Sequence, residues 1–425
     1  MTETDMSHAT LEQWLSHLLA IHPTEIDMGL SRVAQVAEKL GLLDLGETQI
    51  ITVAGTNGKG TTCAMIESIL LRSGKTVGVY SSPHIHEFNE RYRINQHNVS
   101  NQNIIDSFNA IEAARGDVSL TYFEFATLSA LWQFKQAQLD VVLLEVGLGG
   151  RLDATNIIDS HATVITSIDI DHQEYLGDTR EKVGIEKAGV MRRGCICVIG
   201  EPDLPDSAVE HANTVGCQLI KVGHEFNYQR QTQFQRTEAR LWQYKDESQS
   251  LDDLPIPSLP LPNAATTVAL VRQMWPQIGL STIKQGLAHA SLSGRIEQLS
   301  EKPLILLDVA HNPHAAKYLA AQLAKYQHKQ IHAVCGMLQD KDIDKVLSEL
   351  SASIDNWLLV TLDNPRGASA KQLMDALPVG ITAQQFDTME HAHQYVRTSI
   401  ADDDVLIVFG SFFTVAAFHN HYNAA

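Results

Sequence analysis

The feature that most constrains the fold is a β-branched run that leads through a glycine-rich turn into an amphipathic helix. Residues 50–72 read IITVAGTNGKGTTCAMIESILLR. In such a turn the glycines let the backbone wrap around phosphate oxygens, while the helix N-terminus and a lysine supply positive potential. Strand, turn and helix in this order predict a parallel α/β sheet with a nucleotide phosphate site. The predicted phosphate-binding residues are Asn57, Gly58, Lys59, Gly60 and Thr61.

The loop departs from the common G-x-x-x-x-G-K-[ST] pattern at two points. Val53 stands at the first glycine position, and Gly60 follows the lysine where a hydroxyl residue is usual. The hydroxyl groups come one and two residues later, at Thr61 and Thr62. The alternative interpretation is a merely flexible strand-to-helix turn.

Short apolar runs and helical patterns alternate along the rest of the chain, which indicates a doubly wound, mainly parallel sheet. Residues 218–250 instead alternate polar and apolar side chains, which favours an antiparallel insert. After residue 295 the alternation of strands and helices begins again. We therefore predict an α/β fold with two domains: a P-loop domain at 1–293, with an insert at about 218–250, and a smaller Rossmann-like α/β domain at 297–425.

Charge and composition limit the partners. With 32 Lys and Arg against 50 Asp and Glu, the net charge is −18, which repels nucleic acid and anionic membranes. The five cysteines are too scattered for a disulfide framework. The acidic start MTETDMSHAT lacks the features of a signal peptide, and the apolar run 405–418 is too short to span a bilayer. We expect a cytoplasmic protein without nucleic-acid or membrane partners.

Polar side chains follow several of the predicted strands. Ser82 and Glu145 end two apolar runs, and both offer the oxygen ligands that magnesium prefers. The alternative is that Glu145 pairs with an arginine and Ser82 caps a turn. Residue chemistry alone makes His172 a polar loop residue and Lys187 part of a solvated helix face.

The predicted second domain has a polar strand end of its own. Asp308, His311 and Asn312 follow its first apolar run, in DVAHNPHAA. Helix capping accounts for Asn312 but requires neither of the other two residues, which favours a binding site there.

Several strings together resemble the folylpolyglutamate synthase family within the Mur-type, ATP-dependent amide ligases. The resemblance covers nearly the whole chain and is greatest to the bacterial branch that also has dihydrofolate synthase activity. The strings are GTNGKGTT, SSPH with NER at 89–91, EVGLGGRLDATN, IDHxxxLG, EKAG, PNAA, SGR and DVAHNPHAA. The family's loop places a glycine after the lysine, as this one does.

The resemblance implies roles for individual residues. Lys59 would be catalytic together with two magnesium sites, whose ligands would be Ser82, Glu145, His172 and a Lys187 carboxylated by carbon dioxide. In addition to the loop, ATP would contact Asn263, Arg295, Asp308 and His311. Dihydropteroate would contact Asp27, Met28, Thr121, Tyr122, Phe123, Glu124, Leu152, Asp153 and Ala154.

The implied reaction joins L-glutamate to dihydropteroate and to tetrahydrofolates through an acyl phosphate. We expect a monomer whose partners are these small molecules and ATP; a K⁺ requirement is left open. The rival interpretations are a cell-wall Mur ligase, a P-loop NTPase without ligase activity, and an inactive folate-binding protein.

Two positions leave questions open. Phe413 stands where bacterial relatives often have histidine, in GSFFTVAA. Arg366, in DNPRGAS, is a candidate for binding the carboxylates of glutamate, and a surface turn explains it equally well.

Overall fold

Two mainly parallel sheets carry the fold. The computed structural model describes residues 6, 8–22, 24, 26–231 and 241–423. The chain divides into two compact units, Met1–Ala290 and Ser291–Ala425. The sequence analysis expected domains at 1–293 and 297–425. The predicted α/β class is confirmed.

The first unit is built on an eight-stranded sheet with the order β4-β3-β2-β5-β1-β6-β7-β8. Its strands are β1 (Gln49–Ala54), β2 (Val77–Tyr80), β3 (Tyr92–Ile94), β4 (His97–Asn98), β5 (Val141–Glu145), β6 (Ala162–Ile165), β7 (Ile196–Ile199) and β8 (Gln218–Lys221). From β2 to β8 the neighbours pair in parallel, whereas β3 and β4 add an antiparallel edge. The central strands are almost wholly buried, which explains their continuous apolar runs.

The helices of the first unit precede, separate and follow these strands along the chain. They are α1 (Leu11–Ala20), α2 (Ser31–Lys39), α3 (Lys59–Arg72), α4 (Asn101–Arg115), α5 (Tyr122–Ala137), α6 (Gln173–Leu176), α7 (Arg180–Ala188), α8 (Asp206–Val215), α9 (Leu261–Met274) and α10 (Leu280–His289). Edge-to-face contacts of Trp14 and Phe125 with Phe108 join α1, α4 and α5 in one aromatic core.

The antiparallel insert differs from its predicted bounds. Residues 218–221 form β8, which pairs in parallel with β7 and so belongs to the main sheet. The insert sheet consists of β9 (Phe226–Arg230), β10 (Leu241–Asp246) and β11 (Ser250–Pro255). These bounds differ from the predicted insert at about 218–250. At its first end the difference arises because a short, half-exposed edge strand alternates like a hairpin strand.

The second unit has a six-stranded sheet with the order β12-β13-β17-β14-β15-β16, antiparallel only between β12 and β13. Its strands are β12 (Glu297–Glu301), β13 (Leu304–Asp308), β14 (Ile331–Cys335), β15 (Asn356–Val360), β16 (Ala383–Phe386) and β17 (Val405–Phe409). Its helices are α11 (Pro313–Leu323), α12 (Ile343–Leu350), α13 (Ala370–Ala376), α14 (Met389–Ser399) and α15 (Phe412–Asn423). Across the described ranges, no helix combines the length and apolar character needed to cross a bilayer.

Candidate active site

The glycine-rich loop joins β1 to α3. Gly58 has a φ of 89°, a left-handed conformation that favours glycine, and α3 begins at the next residue. The Lys59 ammonium folds back over the loop and donates to the carbonyl oxygens of Gly55 at 3.0 Å and Thr56 at 3.3 Å. This places a positive charge beside the first amides of α3, an arrangement suited to phosphate.

Asn263 on α9 contacts this loop directly. Its Nδ2 donates to Oγ1 of Thr61 at 2.7 Å, and the residue is 8% exposed. A Cβ atom at Gly58 would lie 2.5 Å from the same Nδ2, so only glycine leaves room for this amide. The structure thus brings Asn263 to the predicted nucleotide residues although it lies about 200 positions later in the chain.

The segment after β6 forms hydrogen bonds with the phosphate loop. Oγ1 of Thr166 donates to the carbonyl oxygen of Asn57 at 2.6 Å, and Oγ of Ser167 accepts from the Asn57 amide at 3.0 Å. The Thr56 hydroxyl donates to the carbonyl oxygen of Asp169 at 2.9 Å. The sequence analysis missed Thr166 and Ser167. The available signal was their place at the carboxyl end of a strand, next to β1 in the sheet.

Glu145 and Ser82 meet beside the loop. β5 pairs with β1 so that Glu145 lies opposite Val53, and the residue is only 6% exposed. Oε2 of Glu145 accepts from the backbone amide of Ser82 at 3.4 Å. Both residues lie at the carboxyl ends of strands, at the same end of the sheet as the phosphate loop. A buried carboxylate beside a hydroxyl group in this position fits a magnesium ion.

Lys187 is buried, contrary to the solvated helix face that its composition suggested. Its residue is 4% exposed, and burial, followed by the positive charge of Lys59, lowers the pKa of its ammonium group to about 7. The charges of Asp171 and Asp153 act in the opposite direction. The solvated face of α7 is instead represented by Lys182, whose side chain is 63% exposed.

His172 lies at the N-terminus of α6 in a left-handed conformation, with a φ of 49°. Its residue is exposed, and its backbone amide donates to the neighbouring Asp171 carboxylate at 2.9 Å. In the described part of the chain, no three His, Cys, Asp or Glu side chains converge as a preformed metal site. The predicted metal set, which includes a serine and a lysine, remains a prediction.

Asp153 organises the loop that follows β5. One carboxylate oxygen accepts from the amides of Gly147 at 3.0 Å and Leu148 at 2.9 Å. The other accepts from the amide of Thr155 at 3.0 Å and its hydroxyl at 2.6 Å. Burial raises the pKa of this carboxyl group above its ordinary value. The sequence suggested a direct pterin contact, whereas four hydrogen bonds within the loop occupy this carboxylate.

Two apolar residues predicted for the substrate pocket contact the same loop. A Cβ atom at Gly147 would lie 2.6 Å from Cζ of Phe123, so the phenyl ring packs directly on the loop backbone. Met28 packs against a buried cluster that contains Val146 and Leu176. Ala154, also predicted, begins the short 3₁₀ helix that Asp153 caps, and the half-buried Leu152 precedes it.

The remaining predicted pocket residues have structural contacts of their own. The Thr121 hydroxyl and Glu124 carboxylate form a capping box at the N-terminus of α5, with Tyr122 as its first residue. Arg32 links this box to the predicted Asp27, at 3.2 Å from Oε1 of Glu124 and 2.9 Å from Oδ2 of Asp27. Thr121 and Glu124 of the TYFE run therefore have a helix-capping role besides the substrate contact that the resemblance implies.

The second unit gathers its predicted residues at the carboxyl end of β13. Asp308, 8% exposed, accepts from the amides of Ile296 at 2.9 Å and Ala310 at 2.8 Å. Burial raises the pKa of Asp308, and the positive charge of Arg295 opposes that rise. Asn312 caps α11 through the Ala315 amide, as its sequence context predicts.

Phe412 connects two of these residues and was missed by the sequence analysis. The Arg295 guanidinium lies 5.5 Å from the centre of its ring, and the His311 ring lies 6.4 Å from it. The neighbouring Phe413, noted as a departure from bacterial relatives, is 51% exposed. Arg366 is about half exposed and donates to the Asp340 carboxylate at 3.0 Å, which leaves its glutamate role a prediction.

Two protein-family models match this chain. The Mur ligase middle domain matches residues 53–269, and the Mur ligase glutamate ligase domain matches residues 294–412. These matches and the fold define a Mur-type ligase.

Curated relatives narrow the class. The dihydrofolate synthase/folylpolyglutamate synthase of Escherichia coli is 45% identical, covering 97% of this chain and 96% of its own length. That of Haemophilus influenzae is 44% identical, covering 96% of each. The chain belongs to the dihydrofolate synthase/folylpolyglutamate synthase family, and it is a ligase.

Solved structures of enzymes from this family have the same fold as this chain. Escherichia coli FolC in complex with DHPP and ADP superposes with a TM-score of 0.93 at 44% identity, covering 99% of both chains. The Yersinia pestis enzyme complexed with AMPPNP and a manganese ion gives a TM-score of 0.92 at 48% identity, covering 99% of this chain and all of that one. A further enzyme of this name was solved with Mn, AMPPNP and L-glutamate bound.

Proposed function

We infer that this chain uses ATP to join L-glutamate to 7,8-dihydropteroate, which gives dihydrofolate, and to extend tetrahydrofolates with further glutamates. The observation that carries this inference is the phosphate loop with Asn263 against it and the buried Glu145 on the adjacent strand. The names of the relatives support the same activity.

The reaction begins with attack of the substrate carboxylate on the γ-phosphorus of ATP. This forms an acyl phosphate and releases ADP; the glutamate amine then attacks the acyl carbon and phosphate leaves. Phosphoryl transfer depends mainly on positioning and charge stabilisation. The loop amides and Lys59 are placed for that task, and Asn263 holds the loop in shape.

We propose that two magnesium ions act at this site. Ser82 and Glu145 would hold one, and Glu145, His172 and carboxylated Lys187 would hold the other. Such ions neutralise charge on a phosphoryl group during transfer. The burial of Lys187 beside the positive charge of Lys59 supports the carboxylated form, because a carbamate replaces an unfavourable second cation by an anion.

For the second unit we propose that Arg295, Asp308 and His311 contact the nucleotide. Their grouping around β13 and Phe412 supports this assignment. A monomeric state also remains a prediction, and a K⁺ requirement is left open.

The activity is tested by phosphate release from ATP in the presence of magnesium, with dihydropteroate and glutamate added singly and together. We expect release only with both substrates, and dihydrofolate as the product. Release that ignores both substrates would indicate an NTPase, and release that requires a uridine-nucleotide precursor would indicate a cell-wall ligase.

A single pocket should serve both pterin substrates, since the sequence offers one TYFE run and one LDA run as predicted contacts, and the LDA run lies on the loop after β5. Asp153→Ala removes four hydrogen bonds from that loop. We expect dihydropteroate and tetrahydrofolate activities to fall together, by about tenfold or more, along with a loss of stability. The measurement is kcat/KM for each substrate beside the melting temperature. Loss of one activity with the other at full rate would indicate separate pockets.

A further inference from the structure

The NER run at 89–91 carries part of the family resemblance, yet no role described above uses its arginine. Arg91 ends the short 3₁₀ helix Phe88–Arg91, between β2 and β3. It is only 8% exposed. Its Nε donates to Nδ1 of His84 at 2.9 Å, so the contacting ring nitrogen is an acceptor and supplies no negative charge.

Aromatic rings flank the Arg91 guanidinium. Its central carbon lies 5.5 Å from the ring centre of Phe88 and 5.6 Å from that of Tyr122. Cation–π contacts of this kind hold a guanidinium in one plane while leaving its edge available for hydrogen bonds. Tyr122 belongs to the run that the resemblance assigns to the pterin substrate. The arginine therefore borders the predicted substrate pocket.

Within the described part of the chain, Arg91 has no carboxylate partner. The adjacent Glu90 turns away: its oxygens accept from the backbone amides of residues 85, 86 and 87 at 2.7–2.8 Å. Two other partly buried arginines differ in this respect, since Arg93 pairs with Glu67 at 3.1 Å and Arg32 with Glu124 at 3.2 Å. Burying a cation without a counter-charge is costly, which favours an anionic ligand at Arg91.

The phosphate groups that the loop amides hold are a poor candidate for that anion. The phosphate loop follows β1, whereas Arg91 follows β2, and β5 lies between these two strands in the sheet. Two strand spacings correspond to about 10 Å. The reaction brings carboxylates to the site on two other substrates, the pterin and L-glutamate. The contact of the Arg91 guanidinium with Tyr122, which the resemblance assigns to the pterin substrate, favours the pterin carboxylate.

We propose that Arg91 binds a carboxylate of the pterin substrate through the free edge of its guanidinium. The proposal rests on the function proposed above and adds a specificity-determining residue to it. The carboxylate is either the benzoate group of dihydropteroate or a glutamyl group of a reduced folate. A planar guanidinium recognises either through paired N–H···O bonds.

The test measures equilibrium binding, by fluorescence titration, of dihydropteroate and of the same molecule without its carboxylate. The variants are Arg91→Leu and Arg91→Lys; Arg115→Leu, which removes an arginine paired with Glu112 on α4, is the matched control. Wild type and control should prefer the carboxylate by about 10- to 100-fold, as expected for hydrogen bonds to a charged group. Arg91→Leu should lose that preference and bind the truncated molecule unchanged, with Arg91→Lys intermediate.

The same titration with tetrahydrofolate distinguishes the two sources. Weakening of dihydropteroate by Arg91→Leu assigns the benzoate group, and weakening of tetrahydrofolate alone assigns a glutamyl group. Unchanged affinity of Arg91→Leu for both dihydropteroate and tetrahydrofolate would overturn the proposal. If Arg91→Leu fails to fold, the test relies on Arg91→Lys. Unchanged affinity of Arg91→Lys for both dihydropteroate and tetrahydrofolate would then overturn the proposal. Failure of wild type to bind either pterin would instead contradict the proposed function.

Discussion

Lys59→Ala should abolish glutamate ligation while leaving the fold intact. The Lys59 ammonium lies over the phosphate loop, 3.0 Å from the carbonyl oxygen of Gly55. In this position it can stabilise the charge that develops on the phosphoryl group during transfer. Removing one such charge costs about 3 kcal/mol or more in the transition state, a loss of at least about 100-fold in kcat. The measurement is phosphate release with ATP, dihydropteroate and glutamate, beside circular dichroism and melting temperature.

A matched control separates the position of the charge from its mere presence. Lys345→Ala removes a lysine whose side chain is 72% exposed and pairs with Asp342 in the second unit. Its activity should stay within about twofold of wild type, because exposed pairs contribute little. An unchanged kcat in a folded Lys59→Ala protein would contradict a catalytic role for this lysine.

Lys187→Ala should be nearly inactive and at least as stable as the wild type at pH 7 without bicarbonate. A buried ammonium near Lys59 is unfavourable, so alanine removes a cost to folding, whereas activity loses the proposed carbamate. A short carboxylic acid in solution should restore part of the activity by replacing that anion. Lys182→Ala, on the exposed side of the same helix, is the control and should retain activity. Full activity of Lys187→Ala would contradict the proposed metal ligand.

The carbamate itself is observable by carbon NMR with labelled bicarbonate. Carbon dioxide reacts with the neutral amine, and the pKa of Lys187 is lowered to about 7. The signal should therefore fall as the pH decreases below about 7, and it should be missing from Lys187→Ala. A wild-type spectrum without this signal, in active magnesium-loaded enzyme, would refute carboxylation.

Local sequence patterns predicted most of the architecture. β1 and the loop form a continuous signal, since a buried strand and a positive-φ glycine each have a local signature. The helix that follows was predicted correctly, but it is not amphipathic: all residues of α3 from Thr61 to Leu70 are buried. The same reasoning predicted the position of Glu145, because a carboxylate that ends an apolar run is expected at the carboxyl end of a buried strand. The insert was misplaced because β8 is short and half exposed.

Contacts between distant segments could not be predicted from the residues alone. Thr166 and Ser167 brace the phosphate loop from another strand, and the ring of Phe412 stacks on an arginine more than a hundred residues earlier. Composition placed Lys187 on a solvated face, since nothing in α7 reveals which side is covered. The pterin contact of Asp153 stays a prediction, and the residues alone did not show that its carboxylate also organises its own loop.

The central claim, ligation through an acyl phosphate, is tested most directly by isotope transfer. Dihydropteroate with both carboxylate oxygens labelled with ¹⁸O is incubated with ATP, magnesium, glutamate and the protein, and the released phosphate is analysed by mass spectrometry. Each phosphate should carry one ¹⁸O atom, because the oxygen that attacks the γ-phosphorus leaves with it when the amine displaces phosphate. Phosphate without the label would contradict this mechanism, since it would show that water, not the carboxylate, attacked ATP.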